Sequence, residues 1–528
     1  MLIKINKKTE KGMDMNDSRT SNSLKNIIAS VGSQLFNLIL SFVSRTVFIQ
    51  VLGVEYLGIS GLFNDVLSML NMAELGFGTA MTFSMYKPLA EKDYDTLARL
   101  THFYKKVYRI IAATITIIGL ALIPFLPYLV NLENEIDHLV LYYILFLASH
   151  VASYLVVYKT TVLYADQKNH ILIKNQAYWT TAQTIIQLIV LWLTHNYILY
   201  LVIQVLFVYG ANFYNSHIAS KYYPYINKKV QLPKEKTKGI FKDVGSAFLY
   251  KIANVLINAT DNTLISVLIS TEMVGYYSNY NIIVGKLKGI VGTIFYSLIA
   301  SIGNLLAKEE AKRQFQVFQL MQTVCQIICT FCTTCLVLLE EDFIRVWLGN
   351  EFVLGGLVLI AIVTVFYLNI ILSPITSFRE AAGFFRKTKY VMLWTAATNL
   401  ILSIILGKLI GLSGILFATA LSKVLTHFWY EPLLLFRDYF KKSCSIYFLE
   451  ILKGLGITFV SIILARVGSS WLVPQNWIEL ILKGIIVSIV SLIVIVLCYR
   501  KTEGYALMYQ KIKSILAIAS VKLLKKRH

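Results

Sequence analysis

Fourteen apolar stretches, each about as long as a bilayer is thick, run through this chain of 528 residues. A spanning helix needs about 20 mostly apolar residues. The stretches are 24–51, 57–86, 107–130, 138–163, 176–194, 197–220, 243–269, 274–306, 315–339, 353–373, 389–407, 411–435, 446–467 and 477–499, and they are called spans 1 to 14. Lys and Arg collect on cytoplasmic loops, which tests the count independently. With the N-terminus inside, 40 of the 50 Lys and Arg fall in the N-terminal segment, the tail and the loops after even-numbered spans, counted with the span ends that flank them. Arg379 to Lys389 form one such loop. Arg345, Lys408 and Arg466 fall in external loops, and seven cations lie within spans. A missed span would scramble this alternation. The expectation is an all-α polytopic membrane protein with fourteen transmembrane helices and both termini in the cytoplasm.

Composition agrees with that class. Only 15% of residues are charged, against about a quarter in soluble domains. A net charge of +21 would suggest nucleic acid in a soluble protein; here it belongs on cytoplasmic loops, and no nucleic-acid partner is expected. Six cysteines show no secreted disulfide framework. The first 23 residues are polar and the run after them is too long for a cleavable signal peptide. External loops are short and partly acidic, as at Glu133/Glu135/Asp137 and Glu340/Glu341/Asp342. That argues against an enzyme such as a polymerase, ligase or glycosyltransferase, whose chemistry occupies a long loop. No GxxxxGK[ST] run is present, so no ATPase or cofactor is expected. The basic tail reads equally as an interfacial helix on anionic lipid or as a solvated segment.

A shift of 217 residues aligns two parts of the chain. Glu55-Tyr56-Leu57-Gly58 falls on Glu272-Met273-Val274-Gly275, Asn64 on Asn281, and Leu89-Ala90 on Leu306-Ala307. On the first helix of each half, Gln34, Asn37, Ser41 and Ser44/Arg45 match Lys251, Asn254, Asn258 and Asp261/Asn262. Offsets of three and four place each set on one helix face. Both halves start inside, so the repeat is parallel. The expected organisation is a cytoplasmic segment 1–23, an N-lobe 24–220, a basic linker 221–242, a C-lobe 243–435, two further helices in 436–499 and a basic tail 500–528. Two pseudo-symmetric six-helix lobes plus two C-terminal helices form a transporter layout, with a binding site between lobes.

Ionisable groups inside a membrane cost about 2.5–3.5 kcal/mol on insertion scales and normally face a cavity or a partner. Arg45, Asp65, Glu74, Lys251, Asp261, Lys286 and Lys288 all lie on the first two helices of a half. Ser60, Asn64, Ser68, Asn71 and Glu74 form one stripe; Tyr277, Asn281, Gly285 and Lys288 form its counterpart. Lys286 and Lys288 point to opposite faces, and the stripe favours Lys288. Lys453 and Lys483 read as snorkelling residues. Lys423, His427 and Glu431, at i, i+4 and i+8 just before Pro432, read as a structural pair, with a proton relay as the alternative. Gln183 and Gln187 read as interhelical hydrogen-bonding groups. Cys325, Cys329, Cys332 and Cys335 share one apolar helix, which cannot wrap four thiolates around an ion, so no metal site is expected.

The stretch Phe48 to Asp93, FIQVLGVEYLGISGLFNDVLSMLNMAELGFGTAMTFSMYKPLAEKD, resembles the bacterial polysaccharide repeat-unit flippases (Wzx type), and ASIGNLLAKEE at 300–310 is similar to that family's end of span 8. The family belongs to the superfamily of multidrug-extrusion and lipid II flippase proteins. The resemblance implies two six-helix lobes around a central cavity. It also implies a polyprenyl-pyrophosphate-linked oligosaccharide substrate, moved from the inner to the outer leaflet for capsule or O-antigen synthesis. Span 1 contains no Asp or Glu, unlike drug-extrusion members, and only one deep arginine, unlike lipid II flippases. Those two relatives define the alternatives, a multidrug or metabolite exporter and a lipid II-type flippase. A scaffold or polymerase partner that transports nothing is a further rival.

The expected mechanism is alternating access around a cationic cavity in the bacterial cytoplasmic membrane. A pyrophosphate in low dielectric requires cations, and the planar fork of Arg45 matches phosphate oxygens. Lys251, Lys286 and Lys288 are further candidates; Asn64, Asn71, Asn254, Asn258 and Asn281 are candidates for sugar hydroxyls. Glu74 and Asp261 either hold the empty site's cations or carry a coupling cation, H+ or Na+. Other expected partners are membrane lipid and the polymerase and glycosyltransferases of the same pathway.

Overall fold

The computed structural model describes residues 32, 36, 38–74, 77–133, 136–166, 168–228, 230–233, 252–253, 255–257, 259–510 and 513. Every regular element among them is helical. The chain divides into two compact units, Met1–Ser278 and Asn279–His528.

In the first unit α1 (Leu38–Leu52) gives way to α2 (Val54–Leu70) at a single residue, Gly53. Its φ of +91° lies where a side chain is strained, and its N–H bonds to the Ile49 carbonyl at 2.9 Å. A 3-10 turn, Asn71–Glu74, ends α2, and α3 (Phe77–Glu91) follows. Asp93 caps α4 (Tyr94–Ala121) by accepting the Thr96 N–H at 2.9 Å. Next come α5 (Leu139–Val151) and α6 (Val157–Ala165), a pair bent by 53°. The antiparallel α7 (Asn169–Thr194) and α8 (Tyr197–Tyr222) meet at His195, in the left-handed region at φ +51°, and Asn196, which caps α8. Gln187 of α7 donates to the Tyr200 carbonyl of α8 at 2.9 Å, while Gln183 donates to Gln187. The unit ends with α9 (Asp261–Leu268) and the start of α10 (Thr271–Ser297).

The 217-residue offset returns here as geometry. A side chain at Gly58 would run into the Thr271 carbonyl, and one at Gly275 into the Val54 carbonyl. Gly58 and Gly275 are counterparts under the offset, as are Val54 and Thr271. A second reciprocal pair lies alongside. Arg45 Nη1 donates to Ser278 Oγ at 2.7 Å, and a Cβ on Gly61 would sit 3.9 Å from Asn262 Nδ2. Asn262 is the counterpart of Arg45, and Ser278 that of Gly61. Contacts that return when both partners are exchanged for their counterparts are the signature of a twofold relation. The glycines therefore mark where α2 and α10 cross at the closest approach.

In the second unit α11 (Ile299–Lys308) leads into α12 (Ala311–Leu348), 38 residues long. At 1.5 Å per residue α12 reaches about 57 Å, well beyond the ~30 Å hydrocarbon core. It is followed by α13 (Gly356–Ile371), α14 (Ser373–Ala381), α15 (Phe385–Leu425), α16 (His427–Leu435), α17 (Ser445–Ser469) and α18 (Trp477–Tyr499). Helix α15 is interrupted at Ile410 and Gly411, the latter at φ +63°. Asn399 donates to Thr419 at 2.9 Å, and the Thr395 and Thr426 hydroxyls are 2.6 Å apart. Residues 20 positions apart on a straight helix would be about 30 Å apart. The chain reverses at Gly411, and α15 makes two antiparallel passes.

Packing in this unit is inverted relative to a water-soluble protein. Ile481, Ile485, Ile489 and Leu492 of α18 are exposed, whereas Ser491 is buried. A hydroxyl ladder runs inward: Thr330 to Thr458 at 2.9 Å, Thr334 to Ser461 at 3.0 Å, and Ser461 to Ser491 at 3.1 Å. Polar contacts inside and aliphatic side chains outside are what a lipid solvent selects. Among the described residues eight helices are long and apolar enough to cross a membrane, or nine with the bent pair Leu139–Leu155 and Val157–Ala165. The protein is a multi-pass helical membrane protein.

Three sequence expectations are corrected here. Glu340, Glu341 and Asp342 are not a loop, nor is Arg345; all four lie within α12. Lys483 does not snorkel. Its ammonium is 2.6 Å from Asp342 Oδ2, and Arg345 holds Oδ1 at 2.8 Å. Arg379 is not in a loop either: it lies in α14 at 3% exposure. Lys453 does stay exposed, in a 3.0 Å pair with Glu450.

Candidate functional site

The polar stripe of α2 is assembled as its spacing requires. Leu57, Ile59, Leu62, Phe63, Val66 and Leu67 are buried on one side of the helix. Ser60, Asn64, Ser68 and Asn71 stay accessible on the other. Ser60 Oγ lies 2.6 Å from the Tyr197 hydroxyl. Asn64 donates to the Ser60 carbonyl at 2.7 Å, and its Oδ1 is 3.3 Å from His150 Nε2.

Where α2 loosens into its 3-10 turn, two tyrosines take hold of the stripe's end. The Tyr108 hydroxyl donates to Glu74 Oε1 at 2.9 Å, and the Tyr154 hydroxyl donates to Asn71 Oδ1 at 2.7 Å. The two rings stack at 6.5 Å and 21°.

Arg45 projects from α1, half-buried, onto Ser278. Among the described residues no carboxylate lies within ion-pair distance of its guanidinium, whereas the buried Arg379 has two. A third group joins α2 to α9: the Asp65 carboxylate lies beside Asp261 and the Asn262 side chain. In the second unit, Asn281, Gly285 and Lys288 share an exposed face of α10, while Lys286 is half-buried. Tyr277, expected on that stripe, is buried. Lys251, Asn254 and Asn258 lie outside the described residues.

Sequence reasoning leaves out Ser278, His150, Tyr108 and Tyr154, and it names Asp65 and Asn262 without giving either a role in the site. Asp65 is visible as an intramembrane acid, but it falls off the α2 stripe. Tyr108 and Tyr154 sit on apolar helices where a tyrosine reads as packing. Their roles arise from neighbours 34 and 83 residues away, which no local pattern encodes.

The buried ions of the second unit form a separate cluster. Arg379 Nη1 is 2.7 Å from Glu431 Oε1, and Nη2 is 3.1 Å from Glu380 Oε1. Lys423 donates to Asn369 at 2.6 Å, and His427 Nδ1 is 3.4 Å from the Thr395 hydroxyl. The two ion pairs of Arg379 tie α14 to α16 and to its own next residue. The cysteines of α12 pack as small residues, with Cys325 Sγ donating to the Ile370 carbonyl at 3.0 Å.

Solved structures place this fold among the multidrug and lipid flippase transporters. A lipid II flippase (MurJ, inward closed) aligns at TM-score 0.68 and 14% identity, over 90% of this chain and 99% of its own. An inward-facing multidrug-resistance transporter of the MATE family aligns at TM-score 0.60 and 11% identity, over 78% of this chain and 98% of its own. A transporter of the same superfamily from Pyrococcus furiosus, described as having a binding pocket of reversed polarity, aligns at 0.55 and 11% identity, over 80% and 97%. These likenesses define the fold. No curated protein matches the chain by sequence. The family model for polysaccharide biosynthesis protein matches residues 23–305, more than half of the chain. The chain belongs to that family, as the stretch from Phe48 to Asp93 implied, and its fold is the one that the lipid II flippase and the multidrug transporter share.

Proposed function

We propose that this protein flips polyprenyl-pyrophosphate-linked oligosaccharide repeat units across the bacterial cytoplasmic membrane for capsule- or O-antigen-type polysaccharide synthesis. The observation that carries the reading is Arg45, a guanidinium within a membrane helix whose described hydrogen-bond partner is the neutral Ser278. A cation with no carboxylate at ion-pair distance among the described residues suits an anionic ligand that arrives and leaves.

In this reading fourteen helices form two six-helix lobes, 24–220 and 243–435, with two more helices in 436–499 and both termini in the cytoplasm. The reciprocal contacts of Gly58 and Gly275 support the twofold relation. Arg45, with Lys251, Lys286 and Lys288, receives the pyrophosphate. Asn64, Asn71, Asn254, Asn258 and Asn281 meet sugar hydroxyls as the lobes alternate. Glu74 and Asp261 hold cations when the site is empty or carry a coupling proton or sodium ion. The polymerase and glycosyltransferases of the pathway are its partners.

Charge-assisted hydrogen bonds are worth about 1.5–3 kcal/mol. Arg45→Ala is therefore expected to weaken binding of a polyprenyl-pyrophosphate oligosaccharide to the purified protein by roughly 10–150-fold. Arg45→Lys recovers part of that loss, because it keeps the charge but not the fork. Equal affinity for wild type and Arg45→Ala, measured by tryptophan fluorescence titration, overturns the assignment. A second reading, export of a drug or metabolite driven by a cation, is favoured by Asp65 beside Asp261. It predicts that Asp65→Asn abolishes resistance to cationic compounds and leaves surface polysaccharide intact.

A further inference from the structure

A cavity of about 540 Å³ lies on the α7–α8 hairpin of the first unit, at the end where α7 begins. Helix α7 lines it with His170, Lys174, Asn175, Tyr178 and Trp179, and α8 with Tyr214. Gly210 of α8 makes room for it. A Cβ there would stand 2.7 Å from the Trp179 ring, so the glycine lets the indole lie against α8. The same ring meets Phe207 at 5.8 Å and Tyr214 at 6.0 Å. The indole thereby closes the gap between the two helices, and Tyr178 and Tyr214, both exposed, flank the opening.

The accessible polar groups specify the ligand's charge. Lys174 is exposed and makes no ion pair among the described residues; its ammonium stands 5.9 Å from the centre of the Tyr178 ring. Asn175, half-buried, donates to Asn215 Oδ1 at 3.3 Å. No Asp or Glu lines the cavity. One ammonium without a carboxylate matches a singly charged phosphodiester, and it offers an ammonium-bearing headgroup nothing to pair with. The surroundings specify the rest. At 100° per residue the lining side chains of α7 occupy one half of the helix, and the exposed Ile185, Ile189 and Trp192 continue that half. Leu172, Gln187 and Leu191, which are buried, mark the opposite half. Ile189 lies about 17 Å beyond Tyr178 along the axis, roughly the depth of one leaflet's hydrocarbon. Lys159, Lys168 and Lys174 gather at this end, which by the positive-inside rule is the cytoplasmic leaflet, and Tyr and Trp favour headgroup depth.

From these features we infer a binding site for an anionic glycerophospholipid of the phosphatidylglycerol type. Its phosphate pairs with Lys174, its headgroup hydroxyls meet Asn175 and the two tyrosines, and an acyl chain follows Ile185 and Ile189. Basic pockets between membrane helices on the cytoplasmic side receive anionic headgroups in this way. The site uses none of the residues assigned above to the transported substrate.

The test is thermal unfolding of the full-length delipidated protein in detergent, titrated with phosphatidylglycerol, phosphatidylethanolamine, phosphatidylcholine, polyprenyl pyrophosphate or free glycerol phosphate. A ligand that binds the folded state raises the midpoint as its concentration passes its dissociation constant. Phosphatidylglycerol is expected to give a saturable rise with an apparent affinity about fivefold above the two zwitterionic lipids, the usual effect of one lysine at a membrane surface. Free glycerol phosphate, lacking chains, is expected to give none. Lys174→Gln is expected to bring phosphatidylglycerol down to the level of the other two lipids and to leave those as in wild type. Lys174→Glu is expected to place phosphatidylethanolamine above phosphatidylglycerol, because a carboxylate accepts from its ammonium. Lys312→Gln, which removes an exposed cation from the second unit, is expected to keep the wild-type preference. No preference in wild type, an undiminished one in Lys174→Gln, or an equal loss in Lys312→Gln overturns the proposal. An equal rise from free glycerol phosphate overturns the lipid as the source. A larger rise from polyprenyl pyrophosphate that Lys174→Gln removes overturns the phospholipid as the occupant.

Discussion

Arg379→Met is expected to lower the stability of the solubilised protein by about 3–5 kcal/mol, the usual cost of leaving one member of a buried ion pair alone. Arg379 and Glu431 are each 3% exposed and sit 2.7 Å apart. With the guanidinium gone, the Glu431 carboxylate is stranded between α14 and α16. Adding Glu431→Leu should restore most of the loss, since an apolar pair of similar volume serves as well as a buried ion pair. A double-mutant cycle by thermal or denaturant unfolding separates the two effects. For comparison, breaking the Thr330–Thr458 hydroxyl contact is expected to cost only about 0.6 kcal/mol, the average for membrane interhelical hydrogen bonds. An Arg379→Met variant within about 1 kcal/mol of wild type, or a double variant no better than the single, contradicts the buried pair.

The second large effect is expected at the helix crossing. Gly58→Ala and Gly275→Ala each place a methyl group against a carbonyl of the opposite helix, Thr271 in one case and Val54 in the other. Backbone cannot rotate out of the way as a side chain does, so α2 and α10 must separate. Overpacking of this kind costs about 1–3 kcal/mol. Because the two contacts are reciprocal, the losses should be similar. The double variant should cost less than their sum, since helices already parted by one methyl group accommodate the second. Gly285→Ala is the control: nothing lies within 4 Å of a Cβ there, and alanine's helix propensity should stabilise it by up to about 1 kcal/mol. Additive losses at Gly58 and Gly275, or no loss at either, contradict the crossing.

That crossing has a trace in the amino-acid sequence, because the 217-residue offset aligns Gly58 with Gly275 and Asn64 with Asn281. Period and offset are local or repeated signals, and so the polar face of α2 and the exposed face at Asn281, Gly285 and Lys288 are readable too. Helix ends are harder. Glu340, Glu341 and Asp342 look like a loop because three acids in a row are costly in lipid. Asp342 is tolerated within α12 because Arg345 and Lys483 meet it, and Lys483 is 141 residues away. Glu340, by contrast, is 2% exposed with neither carboxylate oxygen hydrogen-bonded among the described residues.

Arg379 misleads for the same reason as Asp342. A basic residue beside Arg386, Lys387 and Lys389 belongs to a cytoplasmic cluster by charge counting, and only the fold brings Glu431 to it. The clasp of Tyr108 and Tyr154 on Asn71 and Glu74 has no sequence signal at all. Long-range pairing decides these positions, and a single sequence does not carry it.

The central claim is that Arg45 receives a lipid-linked pyrophosphate during flipping. Its most direct test is the leaflet distribution of polyprenyl-pyrophosphate oligosaccharide in a deletion strain of the source organism, complemented with wild type or Arg45→Ala at equal protein abundance. The account predicts accumulation on the cytoplasmic leaflet and loss of surface polysaccharide in the deletion strain. Wild type should reverse both, and Arg45→Ala neither. Normal surface polysaccharide in the Arg45→Ala strain would contradict it.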